Sequence, residues 1–268
     1  MTGFTVLIPA RYQATRLPGK PLREIGGVPL VCRVVERAVD SGARRVVVAT
    51  DDERVAAAVR ERGGEAVMTS PHCASGTDRL AEAAAELGLE EREPVVNVQG
   101  DEPFMPAALI REVAAALDAE PVREMATAAH PLLEWRRVLD PNCVKVVTDG
   151  RGDALYFSRA PVPWPRDLLG GSWPGPEGPP GGGAPEGFRL HVGIYAYRAG
   201  FLRTFAGWDP TPLEQRESLE QLRALENGVR LRVVNSAHAP GLGVDTPEDL
   251  EEAERLLTGT EPRPGQGI

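Results

Sequence analysis

Val6-Leu7-Ile8-Pro9-Ala10-Arg11-Tyr12-Gln13-Ala14-Thr15-Arg16-Leu17-Pro18-Gly19-Lys20-Pro21 starts as an apolar run and ends as a polar loop carrying three cations. A short apolar run closed by Pro and Gly signals reads as a buried strand, so the loop hangs at that strand's carboxyl edge. Lys20 stands out within it. The chain holds 30 basic residues, and only Lys20 and Lys145 are lysines. Where nearly every basic position is Arg, a retained Lys points to a need for a compact ammonium on a flexible stem rather than a wide planar fork. Phosphate is a ligand with that need. Arg11, Arg16 and Lys20, together with Thr15 and backbone N–H groups shaped by Pro18 and Gly19, form a candidate triphosphate cradle. The segment matches neither the G-x-x-x-x-G-K-[ST] P-loop nor the G-x-G-x-x-G dinucleotide fingerprint, which removes the usual support for an ATPase or a dehydrogenase.

Outward from this stretch the pattern repeats. Apolar runs at 4–10, 44–50, 65–69 and 94–100 alternate with 3.6-residue apolar spacing at 28–41, 52–62, 76–87 and 106–119. That order predicts an α/β fold with a mainly parallel sheet flanked by helices, and it puts ligands beyond the carboxyl ends of the strands. Further strands are expected at 125–131, 143–148, 154–159, 190–198 and 231–235, and helices at 213–227 and 247–257. The later part should extend the sheet and add a small antiparallel lobe, all within a single domain over residues 1–258, with that lobe at about 125–198. Residues 164–187 are so rich in Pro and Gly that neither a helix nor a central strand is expected, leaving a linker or a lid. The tail at 259–268 is expected to be disordered.

The 268 residues are 42 % hydrophobic and 26 % charged, ordinary values for a globular chain. A net charge of -9 argues against a general affinity for nucleic acid or anionic membrane, so any bound anion must meet a local basic site. No run of eighteen apolar residues occurs, and the N-terminus begins a strand rather than a signal segment, so a cytoplasmic location is expected. Cys32, Cys73 and Cys143 are widely spaced and odd in number, indicating neither a disulfide framework nor a zinc site. His72 beside Cys73 reads as loop.

Two aspartates are candidate metal ligands. Asp101 follows the apolar run 94–98, where a carboxylate can hold Mg2+ while phosphates and water complete the shell. The competing role is an N-cap of the following helix, although Pro103 and Pro106 move that helix start downstream. Asp245 precedes the helix at 247–257, where Thr246 can do the capping, and it counts as a metal ligand only in combination with Asp101. Lys145 lies in Val144-Lys145-Val146-Val147, where alternation sets it on the face opposite its Val neighbours. A strand lysine is ordinarily a solvated edge, but its escape from the Arg bias suggests a place near a subunit contact or an acceptor site.

Taken together, the I-P-A-R-x-x-x-T-R-L-P-G-K-P opening, Ala49-Thr50-Asp51-Asp52, Ser75-Gly76-Thr77-Asp78-Arg79, Asn97-Val98-Gln99-Gly100-Asp101-Glu102-Pro103, Tyr156-Phe157-Ser158-Arg159, His191-Val192-Gly193-Ile194-Tyr195 and Leu219-Glu220-Gln221-Leu222-Arg223 closely resemble the 3-deoxy-D-manno-octulosonate (Kdo) cytidylyltransferase family. The resemblance runs in order from about residue 4 to 257 and fails only in the Pro/Gly stretch and the tail. It implies a Rossmann-like nucleotidyltransferase, dimeric through the second lobe, that moves CMP from CTP to an acceptor oxygen with release of pyrophosphate. By position, Arg11, Arg16 and Lys20 would hold the triphosphate and Ala10, Asp51, Ser75 and Gly76 would surround the cytidine. Asp101 and Asp245 would bind Mg2+. Arg79, Gln99, Arg159, His191, Tyr195, Glu220 and Gln221 would line the acceptor pocket.

Kdo, a 2-keto sugar acid with a carboxylate beside its anomeric hydroxyl, is the favoured acceptor. The excess of Arg, Ala, Gly and Pro suggests a GC-rich genome. Phosphonoformate or a related phosphonate acid is the alternative within the same chemistry, and sialic acid fits it less well. From another class, a non-catalytic nucleotide-binding protein is disfavoured, because such a module has no use for both carboxylates.

Overall fold

In chain order the elements are β1 (Thr5–Ala10), a 3-10 turn (Lys20–Leu22), β2 (Glu24–Ile25), β3 (Val28–Pro29), α1 (Leu30–Asp40), β4 (Arg45–Thr50), α2 (Glu53–Glu61), β5 (Glu65–Met68), α3 (Gly76–Glu86), β6 (Pro94–Asn97), α4 (Ala107–Ala119), β7 (Met125–Pro131), α5 (Trp135–Leu139), β8 (Lys145–Thr148), β9 (Ala154–Ser158), α6 (Arg166–Leu169), β10 (Arg189–Arg198), α7 (Ala199–Ala206), α8 (Pro212–Glu217), α9 (Gln221–Glu226), β11 (Leu231–Asn235) and α10 (Pro247–Thr258). The computed structural model describes residues 3–120, 122–169, 175, 177–179 and 186–259. The expected tail, apart from Gly259, lies outside these residues.

One nine-stranded sheet runs in the order β11-β7-β10-β6-β1-β4-β5, with β8 and β9 branching from β10. β1 pairs in parallel with β4 on one side and β6 on the other, which leaves it buried on both faces and explains its unbroken apolar run. Its side chains alternate. Val6 and Ile8 join a core layer with Val31 and Val34 of α1 and Leu109, Ile110 and Val113 of α4. Leu7 joins the opposite layer with Leu80 and Ala84 of α3 and Phe201 and Phe205 of α7. Helices cover both faces, and the carboxyl ends of β1, β4 and β6 stay open, the place where sheets of this kind take ligands.

The mainly parallel sheet, its flanking helices and its antiparallel branch agree with the sequence, and several details correct it. The helix expected from residue 28 starts at Leu30, because Val28–Pro29 instead pairs with Glu24–Ile25 across Gly26 and Gly27, both at positive φ. The single helix expected at 213–227 is two, broken where Ser218 takes φ 52°. A short helix, Arg166–Leu169, forms inside the stretch where none was expected, and α5 and α7 were not foreseen. The described Gly178 of that stretch lies against the Trp135 ring. No helix among the described residues is long and apolar enough to cross a membrane.

Candidate active site

A cleft of about 450 Å³ opens over the carboxyl ends of β1 and β6 and the N-terminus of α3. Ala10, Arg11, Thr15, Arg16, Lys20, Ser75, Gly76, Arg79, Gln99, Asp101 and Asp245 all line it. The strand ends meet closely here: a Cβ on Gly100 would lie 2.7 Å from the Pro9 carbonyl oxygen, so only glycine fits. Leu17 of the loop and Val244 share a small apolar cluster with Leu30 and Ala253, and the Val244 N–H donates to the Asp101 carbonyl at 2.8 Å. That packing draws Asp245 from the far end of the chain to the loop that carries Lys20.

The Lys20 ammonium donates to Asp101 Oδ2 at 2.7 Å and to Asp245 Oδ1 at 2.8 Å. Arg16 reaches Asp245 Oδ2 at 2.9 Å. Burial alone would lower the Lys20 pKa, but the two carboxylates outweigh it and hold it above its ordinary value. For Asp245, burial pulls upward and the Lys20 and Arg16 cations prevail, leaving its carboxyl below the usual range. Neither aspartate is spent as a helix cap. α4 has Pro106 at its N-cap, and Thr246 caps α10 in a reciprocal pair with Asp249. Glu102, beside Asp101, is a third acid that the sequence reading passed over. Burial, with Asp101 and Asp245 adding to it, pushes its carboxyl up to about 7, and its Oε2 has no hydrogen-bond partner among the described residues.

On the α3 side, Ser75 caps the helix in a box with Asp78, and Gly76 opens its N-terminus on the cleft. Asp51 and Arg79 face each other. Arg79, only 3 % exposed, donates to Asp51 Oδ2 at 3.0 Å and to Thr69 Oγ1 at 2.5 Å. Asp51 does not line the cleft; its Oδ1 accepts from the Tyr12 N–H at 3.2 Å.

The remaining acceptor candidates gather on β10, β9 and α9, linked to the cleft through side chains. Gln99 reaches Asn97 at 3.4 Å, the Tyr197 hydroxyl hydrogen-bonds with Asn97 and Thr77, and Thr77 donates to Glu220 at 2.5 Å. The Gln221 side chain is buried, and its Nε2 has no partner among the described residues. His191 and Tyr195 would stand about 13 Å apart on a regular strand. A register shift between Val192 and Tyr195 brings their rings to 5.4 Å. Thr127 plugs this irregularity, donating its hydroxyl to the Ile194 carbonyl at 2.7 Å while lying 3.1 Å from His191 Nε2. With the hydroxyl hydrogen so used, Nε2 carries the imidazole proton and Nδ1 is left as an acceptor. Burial lowers the His191 pKa to about 3, so the ring stays neutral.

Arg159 is placed differently from a carboxylate clamp. Its guanidinium donates to the carbonyls of Glu217, Pro141 and Ser218 at 2.7, 3.0 and 3.3 Å, fixing the turn that breaks α8 from α9. Lys145 is not a solvated edge residue; it is fully buried and donates to the carbonyls of Asp140 and Arg159 at 3.0 and 2.6 Å. Desolvation lowers its pKa.

Residues 5–231 match the cytidylyltransferase family. The chain belongs to that family. The 3-deoxy-manno-octulosonate cytidylyltransferase of Pseudomonas syringae pv. syringae is 54 % identical over 257 residues, covering 96 % of this chain and 98 % of that protein. A solved structure of CMP:2-keto-3-deoxy-manno-octonic acid synthetase complexed with CTP superposes with a TM-score of 0.84 at 39 % identity, covering 96 % of this chain and 99 % of that one. A cytidylyltransferase from Leptospira borgpetersenii serovar Hardjo-bovis shares the fold at a TM-score of 0.61 and 15 % identity, covering 97 % and 89 %. The resemblance read from the motifs is thus borne out.

The cleft is lined by charged, polar and small residues, and His191, Tyr195, Arg159, Glu220 and Gln221 are not among those that line it. Thr69, Thr127 and Glu217 hold Arg79, His191 and Arg159, and Glu102 adjoins Asp101; the sequence alone assigns none of the four a place at the site. Glu102 had a signal, being the second acid of Asp101-Glu102 at a strand end. Thr127, inside an apolar strand, had none.

Proposed function

We propose that this cytidylyltransferase moves CMP from CTP to the anomeric hydroxyl of Kdo and releases pyrophosphate. The observation that supports it most is the Lys20 ammonium held between Asp101 and Asp245, carboxylates from separate strand ends beside a loop that also carries Arg11 and Arg16. Lys20 and Arg16 and the two carboxylates neutralise one another. A metal-bearing triphosphate satisfies both sets separately: Arg11, Arg16 and Lys20 turn to the phosphates, and the aspartates turn to a divalent cation.

The donor set fits such a cation, because two carboxylates already converge on a single positive charge and the unpartnered Glu102 Oε2 lies in the same acidic neighbourhood. Mg2+ held by Asp101 and Asp245 would supply charge neutralisation at the reacting phosphate and the acceptor oxygen. The chain's own residues do the rest. The loop cations and the α3 N-terminus position the triphosphate for in-line attack on the α-phosphorus. As the acceptor hydroxyl oxygen bonds to that phosphorus and gives its proton to solvent, the bond from the α-phosphorus to the bridging oxygen breaks, and pyrophosphate departs with its charge among Arg11, Arg16 and Lys20. No protein nucleophile is needed. Neutral His191 offers Nδ1 to a sugar hydroxyl, Gln221 Nε2, without a partner among the described residues, offers a donor, and Gln99, Tyr195 and Glu220 complete the acceptor wall. Arg79 and Arg159 hold Asp51 and the Ser218 turn in place around it. The reading extends to a homodimer formed through the second lobe at about 125–198, and to a cytoplasmic location.

Pyrophosphate release measured with CTP, Mg2+ and a panel of Kdo, phosphonoformate and sialic acid tests this proposal. Release is expected with Kdo. Release with phosphonoformate alone would reassign the acceptor, and no release with any of the three would remove the proposed activity.

A further inference from the structure

Tyr12 does not line the cleft, yet it touches both ends of the loop that carries the phosphate-binding cations. Its N–H, one residue after Arg11, donates to Asp51 Oδ1 at 3.2 Å. Its hydroxyl end lies against Gly19, one residue before Lys20: a Cβ there would meet the hydroxyl oxygen at 3.2 Å and the ring carbon Cζ at 3.4 Å. Gly19 also takes φ 68°, a backbone setting that favours glycine. The Arg54 guanidinium covers the ring, with its Cζ 3.6 Å from the ring centroid. Each support is itself anchored. Arg54 is gripped by Asp52, the N-cap of α2, through Nε at 2.9 Å and Nη2 at 2.6 Å. Asp51 is gripped by the buried Arg79.

The loop itself forms an open hollow of about 370 Å³ whose lining lies between Arg11 and Gly19, so the span is thinly packed. Loops of this kind hold a geometry only where specific contacts fix them. Arg11 and Lys20 must nevertheless meet one triphosphate at a set spacing, and a misplacement of about 1 Å is costly in such sites. We propose that Tyr12, clamped by Arg54 and Asp51, is a positioning residue that sets the spacing of Arg11 and Lys20 for the nucleotide. The proposal rests on the nucleotide-binding reading of the cleft.

Calorimetric titration of CTP into the wild type, Tyr12→Phe, Tyr12→Leu, Arg54→Gln, the Tyr12→Leu/Arg54→Gln pair and a Lys20→Gln reference tests it. Tyr12→Leu, which keeps apolar bulk but loses the ring, should weaken CTP binding about tenfold, and Tyr12→Phe should restore it to within about twofold. Arg54→Gln should cost about threefold, and nothing further in the Tyr12→Leu background. At saturating CTP the KM for the acceptor should stay unchanged in Arg54→Gln. Arg54 is largely exposed, so its variant tests the clamp even where Tyr12→Leu folds poorly. CTP binding unaffected by Arg54→Gln, or an Arg54→Gln penalty that persists without the ring, would overturn the clamp alone. Wild type that fails to bind CTP, or Lys20→Gln that binds it equally well, would overturn the nucleotide reading and the clamp with it.

Discussion

The chain's two lysines end in opposite surroundings, and the regions around them differ in the same way. Lys20, its side chain 16 % exposed at the cleft mouth, is bonded to two carboxylates. Lys145 is sealed from solvent and bonded to two backbone carbonyls. In the cleft, Lys20, Arg16 and the two aspartates answer one another, and on the proposed reading they exchange partners when a phosphate arrives. Around Lys145 and Arg159 the cations answer carbonyls, which would lose their charged donors if the cations moved away. The same chemical group therefore serves ligand exchange in one region and a fixed backbone in the other.

The largest expected effect is on the exchangeable side. Asp101→Asn keeps the shape and removes the charge, so turnover should fall by at least about 10³-fold with the thermal midpoint preserved. Turnover close to wild type would take the metal role from Asp101. Lys20→Arg keeps the charge and changes the shape. A planar fork cannot occupy the point between Asp101 and Asp245 in the same way, and kcat/KM for CTP should drop about 10²-fold. Unaltered kinetics would show that any cation suffices there.

Lys145→Met should reverse the pattern. Two carbonyls lose a charged donor, costing about 2–3 kcal/mol of stability in denaturant unfolding, while the affinity for CTP is unchanged. A variant as stable as wild type would erase the contrast between the lysines.

The smallest effect is a pH dependence. Above pH 6.5, the ordinary histidine value, His191 is neutral whether folded or unfolded and contributes nothing. Between 6.5 and its folded value of about 3, the unfolded chain takes up a proton that the folded chain refuses, so stability falls as pH falls. The slope is at most about 1.4 kcal/mol per pH unit. His191→Gln lacks this contribution, so the stability difference between wild type and variant should shift against wild type by about 1–2 kcal/mol from pH 7 to pH 5. The same difference at both values would mean that the ring titrates normally.

Legibility in the sequence follows the same divide. β1, β4 and β6 could be placed because strands buried on both faces read as continuous apolar runs, and the cations of the loop are contiguous with β1. Asp101 and Asp245 could be named from their positions at element ends. Their meeting at one ammonium depends on Leu17 and Val244 packing together, a contact between residues that no local pattern couples. The Arg79–Asp51 pair was hidden for a similar reason: a buried ion pair across β4 and α3 looks, in sequence, like two ligand-facing charges. The register shift in β10 and the break at Ser218 arise from side chains elsewhere, Thr127 and Arg159, that satisfy displaced carbonyls. Periodicity carries no trace of such tertiary bonds.

In the proposed function, Asp101 and Asp245 release Lys20 and share a divalent cation when CTP binds. An anomalous difference map from crystals grown with CTP and Mn2+ tests it most directly. One peak within coordination distance of both carboxylates, with the Lys20 ammonium moved onto the phosphates, is the expected result. A metal bound away from the two aspartates, or Lys20 still bridging them beside bound CTP, would contradict it.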